Sequence, residues 1–459
     1  MVDWKASDAR FPQMRPFGGR SLRRESLLAK KVVIVGGGWA GCAAALAARK
    51  AGAAVELFER ADMLLGTGLV GGIMRNNGRF TATEEAVAMG GGDLFQIADA
   101  NARHKNIEFP GHHHANLYDV STIEPAVREA VLAAGVTLHL MARVRDIEVK
   151  DGVIGKVVAD VHHGEPIEAT GDVFVDVAGT AGPQGNCMKY GNGCAMCIYR
   201  CPTFGPRFSI AAKAGIKEIL GEKADGTLGA MSGSCKLHKD SLSKEIQDKL
   251  NSTGVAVVPV PAKLQKDIGS LAKKACQQYA LKEFAENIVL LDTGHAKLMT
   301  SYYPLDILRQ VPGFENARFE DPYAGGIGNS MRYLGMLPRD NALKVEGLKN
   351  VFCGGEKAGL LVGHTEAIIT GTLAGHNAAR AAFGLAPVEI PASLACGDAI
   401  AYVRQEMQTK AGLCKKYTFS GSVYFERMQK LGLYTTDVAA IKARVEKAGM
   451  TGAFAEKLG

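Results

Sequence analysis

Residues 30–59 constrain this chain more than any others. Lys30-Lys-Val-Val-Ile-Val35 is a short β-branched apolar run, the pattern of a strand buried in a parallel sheet. Gly36, Gly38 and Gly41 follow in G-x-G-x-x-G spacing around Trp39 and Ala40, and Cys42–Lys50 is alanine-rich and helical. A second apolar run, Ala54–Glu59, ends in an acid 18 residues after Gly41. Each part has a task. The first glycine makes the tight turn, the second admits a pyrophosphate to the backbone, and the third lets helix and strand pack closely. The helix N-terminus attracts the phosphates, and Glu59 accepts from ribose hydroxyls. An acid there favours an unphosphorylated adenosine ribose, so FAD and NAD both remain open on this motif alone.

Composition excludes several alternatives. There are 55 glycines in 459 residues, but they stand between apolar runs beside only 16 prolines, which argues against a disordered or fibrous chain. Ten cysteines in a chain this large need no disulfide framework, and a reduced, cytoplasmic setting is expected. Ser21–Lys31 imitates a twin-arginine export signal, but the apolar stretch after it runs straight into the glycine motif. No run approaches the roughly 20 apolar residues of a membrane span. Residues 1–31 carry eight Lys/Arg against three acids, and residues 396–459 carry ten against six. The net charge of +7 therefore belongs to the two ends, a pattern suited to acidic neighbours or to a solvated surface.

The remaining chain reads as an α/β protein. Gly66–Ile73, with Gly66 and Leu69, is a glycine-rich loop suited to a flat cofactor. Ser121–Ala134 reads as a helix, Val136–Leu140 as a strand, and Val144–Val149 with Gly155–Val161 as a hairpin. Asp172–Val177 returns the chain to the sheet and ends in Ala178-Gly179. Helices at Leu242–Asn251 and Ala262–Glu286, with strands at Val255–Val260 and Ile288–Leu291, interrupt the rhythm. The sheet resumes at Asn350–Gly355 before a long helix, Thr365–Phe383. The expected organisation is a basic arm (1–30), a discontinuous FAD-binding domain (31–182 and 340–392), an inserted α+β substrate domain (183–339) and a C-terminal helical segment (393–459). Its sheet would be Rossmann-like and parallel, of the two-dinucleotide-binding-domain flavoprotein type.

Ser301-Tyr-Tyr-Pro304, Gln310–Ala317, Leu348–Gly355 and Glu366–Arg380 together resemble the GidA/TrmFO group of FAD-dependent tRNA-modifying enzymes. Arg200-Cys-Pro-Thr203 is similar, more weakly, to the cysteine-proline-serine stretch of GidA. The resemblance implies FAD, held by Gly36, Gly38, Trp39, Ala40, Gly41, Glu59, Arg60, Gly66, Leu69, Val144, Ala178, Gly179, Gly355, Glu356, Gly363, His364 and Thr365. Glu356 is placed for the ribityl hydroxyls, and Thr365 for capping a helix whose positive end faces the flavin pyrimidine. Two departures are plain in the sequence. Gly68-Leu-Val-Gly-Gly72 lacks the cysteine that GidA proteins carry there, and about 65 residues stand in place of their long C-terminal region.

Cys187, Cys194, Cys197 and Cys201-Pro202 fall within fifteen residues, and C-x-x-C-x-x-x-C-P matches the latter part of a ferredoxin run. A [4Fe-4S] cluster, a redox-active dithiol and structural zinc are the competing readings. His295, Lys297 and Cys353 are candidates for catalysis, with packing or loop polarity as the plain alternative for each. Arg207 is read as a counter-charge for an anionic substrate or a cluster. His112-His113-His114, read as an extended loop, offers no ligand spacing for a metal. The expected function is an FAD-dependent oxidoreductase passing electrons between flavin, the Fe–S centre and a small-molecule substrate or redox carrier protein. Two alternatives stand beside it: a GidA/TrmFO-like flavoenzyme of RNA modification with a nucleic-acid partner, and an electron-transfer subunit of a redox complex. A homo-oligomer is expected if the chain acts alone.

Overall fold

The computed structural model describes residues 30–161, 164–180, 205, 207–222, 226, 230–231, 235–272, 280–299, 303–320, 331–332 and 334–459. The cysteines at 187, 194, 197 and 201 and almost all of the basic arm lie outside them.

Five short strands form a parallel sheet in the order Val351–Cys353, Val173–Asp176, Lys31–Val35, Ala54–Phe58, Thr137–His139. Val32, Val33, Ile34, Phe174, Val175, Val351 and Phe352 are wholly buried, as a sheet covered on both faces requires. The first strand lies in the middle, so the chain leaves it once toward each edge. Such a reversal opens a crevice at the carboxyl ends of the strands, the place where α/β sheets bind ligands. Gly36, Glu59 and Ala178 all emerge there.

Two helices cross this sheet. Trp39–Lys50 is alanine-rich, and His364–Ala382 lies against it. A Cβ on Gly371 or Gly375 would overlap the carbonyl oxygen of Ala40 or Ala44. The small residues are therefore what lets the two helices touch backbone to backbone.

Two antiparallel sheets build the neighbouring unit. Cys235–Leu237, Ala296–Leu298, Asn287–Asp292 and Val255–Pro259 form one, in that order. Ile73–Met74, His112–Tyr118 and Ala102–Phe109 form the other. They meet through Ile73, Phe109, Leu117, Val289, Leu291 and Met299. The histidine run is thus the start of a strand, not a loop; alternation sends His112 inward and leaves His113 exposed.

Several boundaries shift for local reasons. The helix expected at 242–251 runs Lys244–Thr253, because Ser243 caps it and Gly254 ends it in a left-handed conformation. The long helix expected over 262–286 is instead a turn at Ala262–Leu264 and short helices at Ile268–Ala272 and Lys282–Glu286, with 273–279 outside the described residues. The extended backbone of Gln265 and Leu281 separates the pieces. C-terminal helices Ala395–Glu406 and Val438–Lys447 close over Gly78–Ala88, and Ser422–Lys430 meets its first residue through Met428. The buried Glu85 carboxylate fastens helix Ala395–Glu406, accepting from the backbone N–H groups of Ala395 and Cys396.

Candidate active site

The crevice at the sheet's carboxyl edge is a cavity lined by Gly36, Gly38, Glu59, Arg60, Gly66, Val144, Ala178, Gly179 and Glu356, nine of the positions expected to hold a dinucleotide. Arg143, Arg207, Phe208, Thr67 and Met63 line it as well. Gly36 has φ +113°, and a Cβ there would press on the Val177 carbonyl at 2.5 Å, so only glycine makes this turn. At Gly38 a Cβ would meet nothing closer than 4.0 Å, so the backbone faces open space. The nucleotide cradle is present in the fold.

Glu59 has two tasks. Its Oε2 accepts from the Gly37 N–H at 2.7 Å and its Oε1 from the Ala61 N–H at 2.8 Å, which pins the glycine turn. A carboxylate offers about four acceptor sites, so both oxygens keep capacity for ribose hydroxyls. Across the cavity, the Thr180 hydroxyl donates to Glu356. Arg60 donates to the Gly205 carbonyl, and Arg143 lies against the same glycine.

The other expected cofactor residues do not line this cavity. Trp39, Ala40 and Gly41 form the first helical turn, with Gly41 packed on Gly36 and Ala40 on Gly355 and Gly371. Gly363, His364 and Thr365 open the late helix beside the short helix Gly68–Gly71, which contains Leu69. Thr365 does not cap. Gly363 occupies the cap position without a side-chain bond, and Thr365 is buried with its hydroxyl 3.9 Å from the Met74 sulfur.

Tyr118, which the sequence did not single out, joins these pieces. Its hydroxyl donates to the Gly68 carbonyl at 2.9 Å and lies 3.1 Å from His364 Nδ1. Burial pushes the phenol up, so it keeps its one proton. The carbonyl can only accept; Nδ1 must then be the donor to the tyrosine oxygen. That places a proton on Nδ1 of His364.

The catalytic candidates are dispersed. Lys297 is buried and donates to the Val70 carbonyl at 2.9 Å; Lys236, its cross-strand partner, donates to the Leu69 carbonyl at 3.4 Å. Two lysines thus hold the glycine-rich helix from one side. His295 is tied elsewhere, with Nδ1 2.8 Å from Glu320 and Nε2 3.0 Å from the Ser121 hydroxyl. Cys353 lies in the parallel sheet, and burial pushes its thiol up to about 12, so it is not a thiolate near neutrality.

Lys297 carries a pH dependence. Burial first, then the like charge of Lys236, pulls its ammonium down to about 7. In the unfolded chain it titrates near 10.5. Between those values the unfolded state binds the extra proton, so native stability rises with pH across the window. Lys297→Met should lack that rise. Urea midpoints of variant and wild type that stay parallel from about pH 7 to 10 would show that the lysine does not titrate there.

Among the described residues, no group of three or more His, Cys, Asp or Glu side chains could hold a metal. His112 is buried, with Nδ1 facing the Asn76 and Asn77 side-chain amides, and burial lowers its basicity to about 3. Among the described residues, no helix is long and apolar enough to cross a membrane.

The family model described as glucose inhibited division protein A matches residues 31–302 and 293–386. Among solved structures, Aquifex aeolicus GidA in its form II crystal is similar at 16% identity and a TM-score of 0.55, covering 91% of this chain and 76% of that one. The form I crystal gives 16% identity, a TM-score of 0.55, and coverage of 91% and 78%. At that identity the likeness establishes a shared fold. No curated protein matches.

Proposed function

This chain belongs to the glucose inhibited division protein A family and is an FAD-dependent oxidoreductase, and we propose that it serves RNA modification as a GidA-like flavoenzyme. The observation that carries the reading is the family match, which runs through the glycine motif, the inserted region and the late helix. Bound FAD would supply two-electron transfer at its ring. The chain's own residues do the rest. Glu59 and the glycine turn take the adenosine half, and Glu356 lines the same cavity. The basic ends support a polyanionic partner, since residues 1–31 and 396–459 together carry 18 Lys/Arg against nine acids.

The test is direct. The purified chain should carry FAD and retain RNA at low salt, releasing it as salt rises. A flavin-loaded chain that holds no RNA at any salt would sink the RNA reading and leave the oxidoreductase standing. A second reading rests on the spacing of Cys187, Cys194, Cys197 and Cys201, which lie outside the described residues: electron relay through a [4Fe-4S] cluster. Iron and sulfide assay of anaerobically purified protein decides it, and absence of both removes the cluster.

A further inference from the structure

Arg207 stands early in the inserted region, just before residues that bond the parallel sheet, and its position is built. Asp176, the last residue of strand Val173–Asp176, is wholly buried. Its Oδ2 accepts from the Ser209 hydroxyl at 2.7 Å and from the Ala211 N–H at 3.2 Å. Ser209 in turn caps the following turn by accepting from the Ala212 N–H at 3.1 Å. The parallel sheet thus grips residues 209–211 at its carboxyl edge and fixes the residue two places earlier.

That residue lines the dinucleotide cavity. Arg207 is 8% exposed, and its guanidinium packs over Gly179. One of its terminal nitrogens, NH1, is buried without a hydrogen-bond partner among the described residues. A buried guanidinium N–H left unmade is costly, so such a group normally marks a missing acceptor. The other charged groups facing the cavity are Glu59, Glu356, Arg60 and Arg143. Glu59 accepts from backbone N–H groups and Glu356 from Thr180, while Arg60 and Arg143 lie against Gly205. Three cations against two acids leave an excess of positive charge in a site that already offers bare backbone at Gly38.

We propose that Arg207 is a contact to the FAD diphosphate, delivered by the inserted region, so that cofactor binding clamps that region to the sheet. The proposal rests on the FAD reading. A planar fork suits a diphosphate better than a point charge, because it donates two parallel bonds to one phosphate group.

The test uses the full chain, stripped of flavin, titrated with FAD, ADP and adenosine by fluorescence or calorimetry. Arg207→Gln should weaken FAD and ADP about ten- to hundredfold, with adenosine changed less than twofold. Arg207→Lys, which keeps the charge but loses the fork, should fall between wild type and Arg207→Gln, and it serves as the working variant if the glutamine substitution does not fold. FAD and ADP binding within twofold of wild type in Arg207→Gln overturns the proposal, as does an equal loss for adenosine; where only Arg207→Lys folds, wild-type binding in it does the same. A wild-type chain that takes up neither FAD nor ADP would instead sink the cofactor reading itself.

Discussion

Gly41→Ala should abolish FAD uptake. A methyl group on Gly41 would overlap the carbonyl oxygen of Gly36, with the Gly36 carbonyl carbon 2.9 Å away. Neither neighbour is the tip of a flexible side chain; both are backbone in the turn that presents N–H groups to phosphate. Relief requires the helix Trp39–Lys50 to move off the strand Lys31–Val35, which opens the turn. It also pushes Ala40 against Gly371, where the two helices have no slack. The expected loss is at least about a hundredfold in FAD affinity, or about 2.7 kcal/mol. Overpacking should remove about 1–3 kcal/mol of stability in addition. Equilibrium dialysis against FAD, with a denaturant melt of the same preparation, measures both. Retention of FAD within threefold of wild type would show that the turn is not the phosphate site.

Arg79→Met should be the most destabilising single change near the site. Glu366 is wholly buried in the first turn of His364–Ala382. Its Oε1 accepts from Arg79 Nε at 3.1 Å, from the Thr418 hydroxyl at 2.7 Å and from the Phe419 N–H at 2.9 Å. Arg79 also donates to Thr418 and to Asn76. Removing the cation leaves a carboxylate in the interior without a counter-charge, which costs about 3–5 kcal/mol. Glu366→Gln in the same chain should recover part of that loss, because the stranded charge is then gone. A single-variant loss below about 1 kcal/mol would show that solvent reaches the pair. The consequence reaches function. The network joins the C-terminal segment at 418–420 to the turn that carries His364, so loosening it displaces the histidine as well.

The opening strand, turn and helix were legible because the chemistry there is local. A tight turn, a bare backbone and an acid at the next strand end are separated by fixed numbers of residues, and the strand rise sets their geometry. Small residues at Gly371 and Gly375 were visible too, although only the packed helices show that they face Ala40 and Ala44. The capping role given to Thr365 failed because Gly363 already makes the turn into the helix, and Thr365 turns inward toward Met74. The dispersion of His295, Lys297 and Cys353 was not legible. His295 sits in the turn before strand Ala296–Leu298 and Lys297 within that strand, so strand alternation does not relate them, and nothing in their spacing says which of them meets the glycine-rich helix.

By itself, then, the sequence determined that a tight glycine turn at Gly36–Gly41 opens a helix and that an acid, Glu59, ends the next strand, since short fixed spacings separate them. Only the tertiary structure decided that Tyr118 and His364, 246 residues apart, share a hydrogen bond, and that Asp176 aims Arg207 at the same cavity. Contacts of that kind are fixed by which faces bury together, and burial is a property of the whole packed chain, not of any spacing within it.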